Sequence, residues 1–229
     1  MNCMNILVLG DIHSDIENVI DLLEKASALS FDYVVYTGDF IDVGADIRGL
    51  RRVEVAELLL EELSSLKKPI LAIPGNHDKE IIPVLEKGGV NLHKKGRIID
   101  GIGIYGFGGA KTPFGTPLEP TEKEIAEGLA SAYKEVESAK LKIQLTHAPP
   151  LGTNIDIAYT GAHVGSQAVR DFIEDKHPIV AISAHIHEAR GLDEIGKTKL
   201  INVGRFPEGY CGMVSIEDGN AKTEIINLI

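Results

Sequence analysis

The sequence predicts an α/β protein in which a parallel sheet made of βαβ units is extended by antiparallel hairpins, and three observations carry that reading. Short apolar runs alternate with stretches of helical periodicity. The runs end sharply, at glycine or at a histidine or carboxylate, instead of fading into polar sequence. From the middle of the chain onward Asp100-Gly101, Gly196-Lys197 and Asp218-Gly219-Asn220 separate apolar segments that lie too close together for a crossover helix.

The first run, Ile6 to Leu9, is apolar at every position, as expected of a strand covered on both faces. Gly10 lets the chain turn, and Asp11 and His13 follow beyond the carboxyl end of the strand, where open α/β sheets place their ligands. Ile16, Val19, Ile20, Leu22, Leu23 and Ala26 then recur at helical spacing with charged residues between them. A second run over 32–37 breaks at Gly38 to deliver Asp39. A longer helix is expected over about 50–66. Ile70 to Ile73 forms the third run and leads into Pro74-Gly75-Asn76-His77-Asp78.

A hairpin is expected over 97–106, followed by a stretch, 107–120, so broken by Gly108, Gly109, Pro113, Gly115, Pro117 and Pro120 that it reads as a functional loop. Thr121, with Glu122 and Glu124 behind it, opens a helix expected to reach about residue 139. The fourth run, 142–146, ends at His147. A second irregular stretch, 151–165, precedes a helix over 166–175 with Ser166 as its N-cap. The fifth run, 179–183, ends in Ala184-His185-Ile186-His187. Two hairpins, 192–203 and 210–228, are expected to close a second sheet.

Five of the eight histidines (His13, His77, His147, His185 and His187) stand just past an apolar run, whereas His93, His163 and His177 do not. Strand ends that meet at one sheet edge would therefore gather Asp11, His13, Asp39, Asn76, His147, His185 and His187. Oxygen and imidazole donors without thiolate suit Mn, Fe, Zn or Ni, and seven donors are too many for one tetrahedral ion.

The 229 residues, 44% of them hydrophobic, suffice for one core, so a single domain over 1–229 is expected. A net charge of -11 argues against extended contact with a nucleic acid backbone or an anionic membrane, either of which needs a basic footprint. No apolar stretch approaches a membrane span of roughly 18 residues, and the start lacks a basic-then-apolar leader pattern. A cytoplasmic protein is expected. Cys3 and Cys211, far apart and without metal-type spacing, read as reduced thiols.

In order and in residue type, Gly10-Asp11-Ile12-His13, Gly38-Asp39, Gly75-Asn76-His77-Asp78, Thr146-His147 and Ala184-His185-Ile186-His187 resemble the motif series of the calcineurin-like metallophosphoesterases. The resemblance implies a four-layer αββα sandwich of two mixed β-sheets flanked by helices, the metallo-dependent phosphatase fold. It also implies two divalent metal ions, manganese first among them with Fe, Zn or Ni as alternatives. Asp11, His13 and His187 would hold one ion and Asn76, His147 and His185 the other, with Asp39 bridging. His77 would contact substrate as general acid, and Asp42 matches the acid that orients that histidine in the family's protein phosphatases.

The implied activity is hydrolysis of a small phosphodiester or phosphomonoester, such as a nucleotide, by in-line attack of a hydroxide shared by the ions. Two divalent ions, less the charges of Asp11, Asp39 and the hydroxide, leave a single positive charge, which leans toward a diester. Two departures stand out: Ala184 replaces the family's usual glycine, and the arginine pattern of the protein Ser/Thr phosphatases is missing, although Arg190 and Arg205 follow the last motif. Two other readings are a non-catalytic interaction module on this fold and a metal-dependent amidohydrolase. The latter normally carries its His-x-His on the first strand, whereas here it comes last.

Overall fold

In a computed structural model, which describes residues 3–44, 47 and 49–229, the chain forms two mixed sheets packed face to face with helices on their outer sides. The first sheet has the order β11-β10-β1-β2-β3, from β1 (Met4–Leu9), β2 (Tyr33–Tyr36), β3 (Ile70–Ala72), β10 (Tyr210–Glu217) and β11 (Asn220–Asn227). The second has the order β4-β5-β6-β7-β9-β8. Its strands are β4 (Lys95–Ile99), β5 (Ile102–Phe107), β6 (Leu141–Thr146), β7 (Val180–Ser183), β8 (Gly191–Ile195) and β9 (Thr198–Asn202). β1, β2 and β3 run parallel, as do β5, β6, β7 and β9.

The apolar side chains divide by strand parity, which explains why β1 lacks polar alternation. Leu7 and Leu9 point into a core shared with α1 (Ile16–Ser27), α2 (Arg52–Ser64) and α3 (Ile82–Lys87). Ile6 and Val8 point the other way, into a core between the sheets that includes Ile104, Leu145, Ile182 and Ile201. A third core lies outside the second sheet, where α4 (Glu122–Lys134) and α5 (Gln167–Lys176) cover Tyr105 and Leu200. Both faces of each sheet's central strands are therefore dry, the condition for a continuous apolar run.

Several expectations needed correction. The two C-terminal hairpins do not close one sheet: β8 and β9 complete the second, while β10 pairs antiparallel with β1 in the first. Period-two alternation specifies which faces a hairpin buries but not which sheet edge it joins. The helix after Thr121 starts where expected, Thr121 capping it and forming a capping box with Glu124, but ends at Lys134, short of residue 139. α3 went unread because its six residues contain a proline and offer less than two turns of periodicity. Ile20, counted on the apolar face of the first helix, is exposed.

Candidate metal centre

The five strand ends that carry the candidate ligands belong to two sheets, not one: β1, β2 and β3 in the first, β6 and β7 in the second. They meet because the loops beyond them are hydrogen-bonded to one another across the gap. Asp11 N donates to Gly38 O at 3.0 Å and His13 N to Asp39 O at 2.9 Å, tying the first two loops. His147 N donates to Phe107 O at 3.3 Å and Ala184 N to His147 O at 3.1 Å, tying the loops of the second sheet. His185 N donates to Asp11 Oδ2 at 3.0 Å and thus joins the two sets.

The backbone at this junction is strained. Asp11, His13, Asp39 and His185 all adopt left-handed conformations, with φ of 49°, 50°, 54° and 71°. Each costs energy for a residue bearing a Cβ, and such residues cluster where function imposes geometry. The glycines in the motifs serve approach as well as turning. A Cβ on Gly75 would stand 2.0 Å from Asp39 Oδ1. Ala184 is not among the residues with positive φ, so the methyl that departs from the family pattern introduces no backbone strain.

Seven side chains from these loops face one another. His13 Nε2 lies 3.2 Å from His187 Nε2, and His187 Nε2 lies 3.4 Å from Asp11 Oδ2. On the other side His147 Nε2 lies 2.9 Å from Asn76 Oδ1, and its ring centroid is 5.0 Å from that of His185. Asp39 Oδ2 stands between the two sets, 3.6 Å from His13 Nε2 and 3.3 Å from His147 Nε2. Three groups with closely spaced donor atoms, Asp11 with His13 and His187, His13 with Asp39 and His77, and Asp39 with His147 and His185, could each hold an ion.

Several side chains hold these donors in orientation. His147 Nδ1 lies 2.8 Å from the carbonyl of Thr37, which fixes that nitrogen as the protonated one and turns Nε2 inward. Asp78 is fully buried and accepts from Gly75 N, Phe40 N and Ile41 N, so it joins the loops after β2 and β3 and is not itself among the close donors. Arg52 Nη2 donates to the carbonyl of His77 at 3.0 Å. Arg52, Thr116 and Glu119 were not read from the sequence, since nothing in a helix start or a broken loop marks a residue as supporting a distant motif.

His77 is positioned by its own backbone amide, which donates to Asp39 Oδ1 at 3.0 Å, and by Val43 N, which donates to Nδ1 at 3.2 Å. An Nδ1 that accepts leaves Nε2 to carry the proton of the neutral ring. Asp42 Oδ1 is 3.4 Å from His77 Nδ1 but only 2.9 Å from His13 Nδ1. The carboxylate expected to orient His77 is thus the closer neighbour of a candidate ligand.

The electrostatics of the site suit a cation. Asp11 is wholly buried and its Oδ1 has no hydrogen-bond partner, a costly state for a carboxylate oxygen. Burial alone would lower the pKa of His147, but the Asp39 and Asp11 carboxylates raise it to about 9. Burial and the neighbouring His147 hold His185 down at about 3, so it stays a neutral imidazole, the form that binds metal. The donor set and the orphaned oxygen fit a bound divalent cation.

Of the remaining candidates, Arg190 is engaged: its guanidinium stacks 3.5 Å from the Tyr210 ring centroid and pairs with Glu208 at 3.0 Å. Arg205 Nε is buried without an acceptor, and the next residue donates Phe206 N to Gly10 O at 2.9 Å beside Asp11. His163 lies outside the cluster, its Nδ1 2.6 Å from Asp156 within the 151–165 loop. Phe107 is buried and cannot face a substrate, whereas Phe114 and Tyr159 are almost fully exposed on the two loops.

Two face-packed mixed sheets that collect imidazoles and carboxylates at their joint edge define a class of protein, the metallo-dependent phosphatase fold with a strand-end metal site. The chain belongs to the calcineurin-like phosphoesterase family, whose model matches residues 4–189. An uncharacterized protein of Methanocaldococcus jannaschii is 34% identical over 229 residues, covering 95% of this chain and 97% of the relative. Among solved structures, a novel archaeal phosphodiesterase matches with a TM-score of 0.55 at 16% identity, covering 97% of this chain and 100% of its own. A dimetal phosphatase from Danio rerio matches with a TM-score of 0.58 at 13% identity, covering 99% of each. The two structural likenesses establish the fold. No helix among the described residues is long and apolar enough to cross a membrane.

Proposed function

We propose that this chain is a metal-dependent phosphoester hydrolase acting on a small phosphodiester or phosphomonoester, with two divalent ions in the strand-end site and manganese the first metal to test. The observation that carries the reading is Asp11 Oδ1, a buried carboxylate oxygen without a partner among converging imidazoles and a second carboxylate. Family membership and the archaeal phosphodiesterase and zebrafish dimetal phosphatase of like fold support it.

In this reading Asp11, His13 and His187 would hold one ion, Asn76, His147 and His185 would hold the other, and Asp39 would serve both. When bound, the ions supply a nucleophilic hydroxide near neutral pH and offset charge on the phosphoryl oxygens. The residues do the rest. Asp39 uses Oδ1 to hold the His77 amide, so the same carboxylate fixes the metal site and the proton donor. His77 presents the protonated Nε2 to the leaving oxygen, a general-acid role typically worth roughly 10²- to 10⁴-fold. Arg205, which has no acidic partner among the described residues, is the guanidinium left to bind a substrate oxygen, whereas Arg190 is engaged by Glu208 and Tyr210. Residues 1–229 act as one domain, working in the cytoplasm.

The test is metal content and turnover measured together. Manganese-reconstituted protein should hold two ions per chain and hydrolyse p-nitrophenyl phosphate or its bis ester, and Asp39→Asn should do neither. A wild-type protein that binds no divalent ion, or binds two and hydrolyses no member of a panel of nucleotides, cyclic nucleotides, nucleotide-sugar pyrophosphates and sugar phosphates, would sink the proposal.

A further inference from the structure

The loop over 107–121 ends in a set of hydrogen bonds that reaches the metal centre. Glu119 Oε1 accepts from Thr112 Oγ1, from Thr116 N at 2.6 Å and from Thr116 Oγ1 at 2.8 Å. Thr116 Oγ1 in turn accepts from Asn76 Nδ2 at 3.2 Å. The Asn76 side chain is buried, and its Oδ1 lies 2.9 Å from His147 Nε2.

The direction of these bonds follows from proton counting. An ionised carboxylate only accepts, so the single hydroxyl proton of Thr116 is directed to Glu119. Toward Asn76 the same hydroxyl can then only accept, and it selects the NH2 end of the amide. An amide is close to symmetric in shape, and without such a selector either end could face the histidines. A cation is bound by the oxygen and repelled by the NH2.

We propose that Thr116 and Glu119 are positioning residues that hold the Asn76 amide with its oxygen in the metal site. The inference rests on the reading of Asn76 as a metal ligand, and it gives this loop a role in metal affinity. Outer partners of ligands typically contribute about 10- to 100-fold in affinity, and these two residues fall in that class.

The experiment is a manganese titration of metal-stripped full-length protein, by calorimetry or by electron paramagnetic resonance of free Mn²⁺, with thermal unfolding of the same metal-free samples. Thr116→Val keeps the side-chain shape and the backbone bond from Leu118 N to Asn76 O. It should weaken one of two binding steps about 10-fold or more, leave the other step and the metal-free melting curve unchanged, and be rescued by Thr116→Ser. Glu119→Ala should weaken the same step, because the freed hydroxyl proton can turn to Asn76 and favour the flipped amide. Two manganese ions bound at wild-type affinity by Asn76→Ala would remove the metal reading of Asn76. A loss in Asn76→Ala with Thr116→Val within about twofold of wild type, or Thr116→Ser as weak as Thr116→Val, would overturn the positioning role while leaving that reading intact.

Discussion

Asp42 Oδ1 stands 2.9 Å from Nδ1 of His13. Burial alone would raise the Asp42 pKa, but the hydrogen bond from His13 and the nearby His77 ring take it well below the usual carboxylate range, so it is charged throughout the working pH span. A charged acceptor at Nδ1 makes that nitrogen the protonated one and leaves Nε2 for a cation. Asp42→Ala should therefore weaken the ion held by Asp11, His13 and His187 by about 10-fold or more. In the same titration the other binding step should stay near wild type; equal weakening of both steps would refute the assignment.

His77→Ala should keep its metals, because His77 belongs to neither three-residue ligand set assigned above. Its rate loss should be larger for an alkyl phosphoester than for p-nitrophenyl phosphate, whose leaving group scarcely needs a proton. A deficit on the order of 10²- to 10⁴-fold on the alkyl ester is expected. Kinetics on the pair of substrates decide it, and losses of the same size on both would remove the general-acid role.

Asp39 Oδ2 lies between the two donor sets, close to His13 in one and His147 in the other, and its loss should be felt as stability as well as activity. Saturating manganese at 100 times the dissociation constant stabilises a one-site protein by about 2.7 kcal/mol. Wild-type protein should show a clear rise in melting temperature on adding manganese, and Asp39→Asn should show little or none. A full rise in the variant would contradict the shared position.

Arg190 and Arg205, indistinguishable in sequence, separate by their partners. Arg190→Ala removes a cation-π stack on Tyr210 and the pairing with Glu208, so it should lower thermal stability with modest change in KM. Arg205→Ala should do the reverse, raising KM for phosphoesters several-fold while the melting curve of the metal-free protein holds. Steady-state kinetics beside calorimetry on both variants would reveal an exchange of these roles.

The strand-helix alternation and the residues that converge at the strand ends were legible because they depend on local rules: apolar runs, punctuating glycines and side chains of known chemistry at strand ends. The sheet partners were not. Ile6 to Leu9, apolar throughout, show that β1 is covered on both faces, but no local feature of Tyr210 to Glu217 says that it pairs with β1 instead of joining β8 and β9. The support around the site was equally hidden. Glu119 looks like an ordinary loop acid, and its bearing on Asn76 runs through one hydroxyl proton some forty positions away in the chain. The left-handed φ of Asp11, His13 and Asp39 also has no signature in residue type beyond the known tolerance of Asp and His for that region.

His93 gives a pH dependence that can be read apart from the metal site. Its Nδ1 accepts from Gly108 N at 2.9 Å, at the root of the 107–121 loop, and its ring packs on Phe107. Burial, with Lys94 and Lys95 nearby, holds its pKa at about 4, below the 6.5 of a free histidine. The unfolded chain thus takes up a proton near pH 6.5 that the folded protein refuses until about pH 4. The stabilisation is present in full above pH 6.5 and is lost as pH falls through that window. His13 and His147 shift the other way, so the whole-protein curve mixes both signs, and only a difference isolates His93. In His93→Asn the side-chain oxygen can still accept from Gly108 N but does not titrate. Between pH 7 and pH 4, metal-free wild-type protein should lose more unfolding free energy than His93→Asn, by on the order of 1 to 2 kcal/mol. Parallel curves for the two proteins in urea melts across that range would show that His93 is protonated in the fold and that its bond to Gly108 has been misread.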